Sequence, residues 1–184
     1  RTMNHRVDVC VVGGGMAGVC AAIAAARHGA DVALVQDRPV LGGAASSEMR
    51  VHIGGAAGGK TNPASRETGI IEELQLENLR RNPQRSYSIW DTVLHGKVKA
   101  EPNIRLLLNA TCQSAEMSGE RISSVTAWQM TTQTWHVVRA RIFIDCSGDG
   151  VLAPLSGALW RMGREGRSEY NESHAPEEPN PGTM

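Results

Sequence analysis

Two groups of residues in this chain are spaced for chemistry. Gly13, Gly15 and Gly18 fit G-x-G-x-x-G, and Glu48, Arg50 and His52 alternate within a stretch flanked by Gly42-Gly43 and Gly54-Gly55. The first spacing suits the pyrophosphate of a dinucleotide: one glycine for a tight turn, one for close approach of the backbone to phosphate, one for close packing of the following helix on its strand. The backbone N–H groups of Gly13, Gly14, Gly15, Met16, Ala17 and Gly18 would then surround the anion at the positive end of a helix dipole. In an extended segment the second group projects to one side. Arg50 would suit a carboxylate and His52 a proton transfer near neutral pH, so the three are candidate catalytic residues. The competing reading pairs Glu48 with Arg50 and leaves His52 closing a loop. Cys10, Cys20, Cys112 and Cys146 include no C-x-x-C pair, and His95 and His136 have no ligand partner at i+4, so no metal site is expected.

The elements that must position these residues can be placed in chain order. Residues 7–12 form an apolar run, read as a strand buried on both faces of a parallel sheet. A helix rich in alanine comes next over residues 16–28, closed by Gly29. A second strand over residues 31–36 ends at Gln36, where a dinucleotide fold sets a polar side chain on a ribose. Gln36 would do so through its amide, or Asp37 would if the strand ends one residue later. The glycine-rich segment 38–64 offers backbone approach at Gly42, Gly43 and Ala44 and hydroxyl donors at Ser46 and Ser47. Its length marks it as functional. Two amphipathic helices are expected over residues 66–81, with Ser65 as N-cap, and 88–100. A third core strand spans 104–108. Antiparallel strands over 111–117, 122–131 and 134–139 come next, with Trp128 opposite Trp135, and a last buried strand over 141–146 runs into Ser147-Gly148-Asp149-Gly150. This order predicts an α/β, Rossmann-like three-layer fold with a parallel sheet and an inserted three-stranded antiparallel meander.

The chain has 184 residues, 41% of them hydrophobic, which is enough for one substantial core. Nineteen basic residues balance nineteen acidic ones, so no overall field favours nucleic acid or an anionic membrane. No apolar run approaches the ~20 residues of a membrane span, no signal peptide is visible, and four widely spaced thiols suit the cytoplasm. Residues 1–166 are read as the nucleotide-binding domain. Residues 167–184, polar and proline-rich, are read as a linker toward a further C-terminal part. Lys60 and Arg66 are surface residues or anion binders, and Arg161, Arg164 and Arg167 form a solvated basic face or a docking surface for the further C-terminal part.

The ordered set of G-x-G-x-x-G, a polar end to the second strand, Gly42-Gly43, a meander and Cys146-Ser147-Gly148-Asp149-Gly150 resembles the FAD-binding half of the glutathione-reductase-like flavoprotein superfamily. More narrowly, residues 36–51, 143–150 and Arg161-Met162-Gly163-Arg164-Glu165 are similar to a bacterial group of FAD-dependent oxidoreductases. The resemblance implies a bound FAD and flavin-mediated hydride or electron transfer on a small-molecule substrate. It implies the adenosine ribose at Gln36, with Asp37 and Arg38 as neighbours, and pyrophosphate and ribityl contacts at Gly42 and Gly43. It also implies an Ala-Thr-Gly-like motif at Cys146, Ser147 and Gly148, followed by Asp149, and adenine near the backbone of Cys112. A NAD(P)-binding dehydrogenase domain would share the first turn but needs neither Gly42-Gly43 nor the meander. An electron-transfer flavoprotein subunit is a further alternative, against which the lack of iron–sulfur cysteine spacing speaks.

Overall fold

The computed structural model describes residues 1–55, 65 and 67–182. Strands β2 (Val9–Val12), β3 (Val32–Val35), β4 (Ile104–Leu107) and β8 (Ile142–Asp145) form a parallel sheet in the order β4-β3-β2-β8. Strands β5 (Ala110–Ser118), β6 (Arg121–Gln129) and β7 (Thr134–Arg139) form the antiparallel meander, and β1 (Thr2–Arg6) extends it by pairing parallel to β7. Helices α1 (Met16–Arg27), α2 (Gly69–Arg81) and α3 (Tyr87–Lys99) cover the other face, and the short α4 (Leu152–Ser156) and α5 (Arg167–Tyr170) come after β8. No helix among the described residues is long and apolar enough to cross a membrane.

Strands β2 and β3 are apolar at every position because both of their faces are covered. Val9, Val11, Val32 and Leu34 pack toward the helices with Val19, Ile23, Leu74 and Leu94. Cys10, Val12, Ala33 and Val35 pack toward the meander with Cys112, Val125, Ala127 and Val138. The three layers are therefore helices, parallel sheet and meander, as the element order predicts.

Local signals account for most boundaries. Gly29 (φ 88°) ends α1, its N–H bonded to Ala26 O and that of Ala30 to Ala25 O, so the last carbonyls are satisfied. Helix α3 begins one residue earlier than the sequence predicts. The Asn82 side chain takes both backbone groups of Ser86, accepting from its N–H at 2.8 Å and donating to its carbonyl at 2.8 Å, which makes Ser86 the N-cap. Helix α2 begins at Gly69 rather than residue 66: Gly69 has φ 69°, a conformation through which a right-handed helix does not run back. Arg27 bridges Glu73 and Glu101, and Lys97 also bonds Glu73, which ties α1 to α2, α3 and the approach to β4. The Arg27 and Lys97 hydrogen bonds hold the Glu73 carboxyl down at about 2.

Strand β1 and its buried histidine are not signalled by the sequence pattern. His5 Nε2 and His136 Nδ1 lie 2.8 Å apart, Arg105 Nη1 reaches His5 Nδ1 at 3.3 Å, and His136 Nε2 reaches Gln129 Oε1 at 3.2 Å. Only one direction of donation satisfies this chain: Arg105 to His5, His5 to His136, His136 to Gln129, with both imidazoles neutral. Burial, then the positive charge of Arg105, holds His5 below its ordinary 6.5. Burial, then Arg1, does the same for His136. Because the unfolded histidines take up protons more readily, stability is complete above about pH 6.5 and falls as pH drops below it. A melting curve taken from neutral pH to about pH 5 is expected to show this slope, and a His5→Phe, His136→Phe double variant to lose it.

Candidate functional site

At the end of β2 the chain makes two backbone contacts that only glycine allows. A Cβ on Gly13 (φ 99°) would lie 2.4 Å from the carbonyl carbon and oxygen of Cys146, and one on Gly18 would lie 1.8 Å from Gly13 O. The ends of β2 and β8 and the first turn of α1 thus meet main chain to main chain. Helix α1 starts from Gly15 with no side-chain cap and no acidic residue in its first turn. Its positive end is left for an outside anion.

A second glycine turn is laced to the first. Gly42 N donates to Gly14 O at 2.8 Å, Gly15 and Gly42 form a parallel bridge, and a Cβ on Gly43 would lie 3.1 Å from the Gly15 Cα. Gln36 fixes the first turn from below. Its Oε1 accepts from Gly14 N at 2.7 Å and its Nε2 donates to Val40 O at 3.0 Å, in a residue only 3% exposed. The amide expected to grip a ribose therefore holds the two glycine turns in place, and the polar group left at the strand end is the exposed Asp37.

These turns open on a cavity of about 550 Å³. Of the residues expected to hold a cofactor, Gly13, Gly15, Gln36, Asp37, Arg38, Gly43, Ala44, Cys112, Ser147, Gly148 and Asp149 line it. Gly14, Met16, Ala17, Gly18, Gly42, Ser46 and Ser47 do not line it. Gly14, Gly18 and Gly42 are packed behind the lining, and Ser46 is fully buried, its Oγ accepting from Glu48 N. Ser47 N donates to Asp91 Oδ1 at 3.0 Å. The wall also contains Val12, Val35, Ala110 and Thr111, which strand alternation could have marked. It includes Trp160 and Met162 as well, which the sequence does not mark as cofactor contacts.

Below the cavity, Asp145 Oδ1 accepts from the Ser147 N–H and hydroxyl at 3.0 and 2.7 Å, and Asp145 Oδ2 accepts from Leu152 N at 2.7 Å. Ser147 Oγ in turn accepts from Val151 N at 2.8 Å. Ser147 is thus a turn former whose side chain is already engaged. Burial, and then the Asp145 charge, pushes the Cys112 thiol up to about 11 and also raises Cys146. Both are protonated walls at neutral pH, without thiolate chemistry. Among the described residues no group of three or more His, Cys, Asp or Glu side chains could hold a metal ion.

The expected cluster of Glu48, Arg50 and His52 does not form. Residues 47–49 are a turn rather than an extended segment, and Arg50 has φ 60°, so alternation does not bring the three side chains together. Glu48 pairs with Arg38 instead, through bonds of 2.8 Å (Nη2 to Oε1) and 3.0 Å (Nε to Oε2). Arg50 Nε donates to Ser47 O at 3.1 Å. His52 lines a separate cleft with Trp90 and Tyr87. The Glu48–Arg50 pairing fails for the same reason. Lys60 and Arg66 lie outside the described residues. The basic face is solvent-exposed, with its charges engaged locally: Arg161 pairs with Glu169, Arg164 Nη2 donates to His174 O at 3.1 Å, and Arg167 pairs with Glu177 at 2.6 Å.

A family model described as FAD dependent oxidoreductase matches residues 8–183. No curated protein matches the chain in sequence. Among solved structures, a geranylgeranyl bacteriochlorophyll reductase-like protein from Thermoplasma acidophilum is similar at 15% identity and a TM-score of 0.57, over 88% of this chain and 45% of that one. A myxobacterial FAD-dependent chondrochloren halogenase is similar at 19% identity and 0.55, over 79% and 38%. The glycerol-3-phosphate dehydrogenase of Bacillus halodurans, complexed with FAD, is similar at 14% identity and 0.52, over 82% and 36%. At these identities the likeness is one of fold, and the chain spans less than half the length of each of these three.

Proposed function

Because the chain belongs to the FAD-dependent oxidoreductase family, we propose that residues 1–166 are the part that grips the adenosine diphosphate half of FAD. We place it in the glutathione-reductase-like branch. The observation that carries this reading is the pair of laced glycine turns: the Gly15–Gly42 bridge sets a second backbone turn beside the uncapped start of α1, along one wall of a single cavity. A NAD(P) fold has use for the first turn only. The cradle fits the group, since the lining at Gly15 and Gly43 has no side chain and the first turn of the helix has no internal counter-charge.

Bound there, the flavin would supply the two-electron chemistry. The chain's own residues hold it. The backbone of Gly15 at the start of α1 faces the pyrophosphate, and Asp37 accepts from the adenosine ribose hydroxyls. Arg38, held by Glu48, borders the nucleoside, and Ser147, Gly148 and Asp149 line the same cavity. Residues 167–184 lead toward a C-terminal remainder that completes the site for a small-molecule substrate. Four free thiols and balanced charge suit a cytoplasmic enzyme without a nucleic-acid partner.

Nucleotide released from the purified full-length protein and identified by mass tests the reading. FAD near one equivalent is expected. NAD(P), or a colourless protein that takes up no FAD on reconstitution, sinks it. An Asp37→Ala variant is expected to bind FAD about tenfold more weakly by loss of a charged hydrogen bond worth ~1.5 kcal/mol, with FMN affinity unchanged.

A further inference from the structure

Trp160 and Met162 are 54% and 62% exposed, yet both line the cavity otherwise built from the glycine turns and the starts of β5 and α4. We infer that Trp160 is the surface on which the adenine ring stacks, and that the returning segment 164–182 holds it in place. This rests on the FAD reading above.

The cavity decides which ring is concerned. Its walls include the first glycine turn, Gly43 and Ala44 of the second, Asp37 at the end of β3, Thr111 and Cys112 at the start of β5, and residues 146–149 after β8. Ala110 N donates to Gln36 O at 2.9 Å, so these two strand ends adjoin. Ser46 and Ser47, further along the loop toward the reacting end, take no part in it. With Asp37 on the adenosine ribose, the ring that lies beside Thr111 and Cys112 is the purine. Opposite apolar strand ends, an indole and a thioether offer a flat polarisable face with no hydrogen-bond requirement of their own toward the ring.

The segment carrying Trp160 is irregular, and the residues after it set its position. Gly163 has φ 88°, and a Cβ there would lie 2.5 Å from Asn180 O. Arg164 N donates to Asn180 O at 2.9 Å and Asn180 N to Arg164 O at 2.8 Å. Arg167 N donates to Pro176 O at 2.7 Å. The proline-rich stretch thus folds back on residues 163–167 and braces the short segment just before them. Gly163 is a positioning residue and Trp160 a cofactor contact.

ADP binding to the full-length apoprotein, with FMN as the probe lacking adenine, tests this. Trp160→Ala is expected to weaken ADP and FAD by about tenfold or more, the order of one base–aromatic stack. Trp160→Phe should keep affinity within about threefold, as a remaining ring would. Gly163→Val is expected to weaken ADP comparably while FMN is unaffected. ADP should quench tryptophan fluorescence in the wild type and much less in Trp160→Phe. Wild-type-like ADP affinity in Trp160→Ala, or an equal loss of FMN, overturns the inference and leaves the FAD reading standing. A wild-type protein that binds neither ADP nor FAD overturns both.

Discussion

Gly18→Ala is expected to yield a colourless protein of sharply reduced stability. The added methyl would sit 1.8 Å from Gly13 O, an atom that cannot move aside. Gly13 is bonded through its N–H to Val35 O at 2.8 Å and abuts the Cys146 carbonyl. Helix α1 would have to lift off β2, opening the core around Val19 and Ile23. Overpacking of this kind costs ~3 kcal/mol, a large share of the ~5–15 kcal/mol that holds a domain together. The lift also takes the α1 N-terminus away from the pyrophosphate, so flavin content and stability should fall together. Denaturant unfolding with a parallel measurement of bound flavin checks both. Gly96→Ala is the contrasting control: it sits in α3 with nothing within 4 Å of the added carbon. The helix propensity gained there should stabilise by about 0.5–1 kcal/mol. A Gly18→Ala protein that retains FAD and wild-type stability would refute the packing argument.

Gln36→Leu is expected to lose ~3 kcal/mol of stability and at least about tenfold in FAD affinity, although leucine nearly matches glutamine in size. The substitution removes the acceptor for Gly14 N and the donor to Val40 O, leaving a buried N–H and a carbonyl without those partners. Each orphan costs ~1–3 kcal/mol. A ribose-gripping Gln36 would behave differently, with FAD affinity falling and the apoprotein as stable as before. Apoprotein melting temperature set beside the FAD dissociation constant separates the two roles.

The parts of this molecule that were legible in its sequence are those whose cause is local. The run into Gly13, the small-residue helix closed by Gly29, and the Trp128–Trp135 pair can be read from spacing along short segments. That pair sits in register with ring centroids 4.8 Å apart. The features that escaped depend on distant partners. Strand β1, with the pattern TMNHR, carries no apolar alternation, and its one buried residue, His5, meets a partner 131 positions away. Gln36 stands where a ribose ligand would, but its role is set by Gly14 and by Val40, which composition does not reveal. Alternation at Glu48, Arg50 and His52 aligns side chains only in an extended chain, and residues 47–49 form a turn. Residues 167–184 have the composition of a linker, while backbone bonds from Arg164 to Asn180 and from Arg167 to Pro176 give the part up to residue 182 a defined course.

The pairing of β1 with β7 also sets an order of events during synthesis. Thr2–Arg6 is made before the other strands among the described residues, yet among these its only strand partner is Thr134–Arg139, made more than a hundred residues later. Until then this polar segment has no ladder to join, and the neutral His5–His136 chain has no second member. Since contacts this distant in sequence close late and at high entropic cost, the oldest of these strands is among the last to be placed. The segment that leads into β2 is clasped to the meander only once β7 has been made.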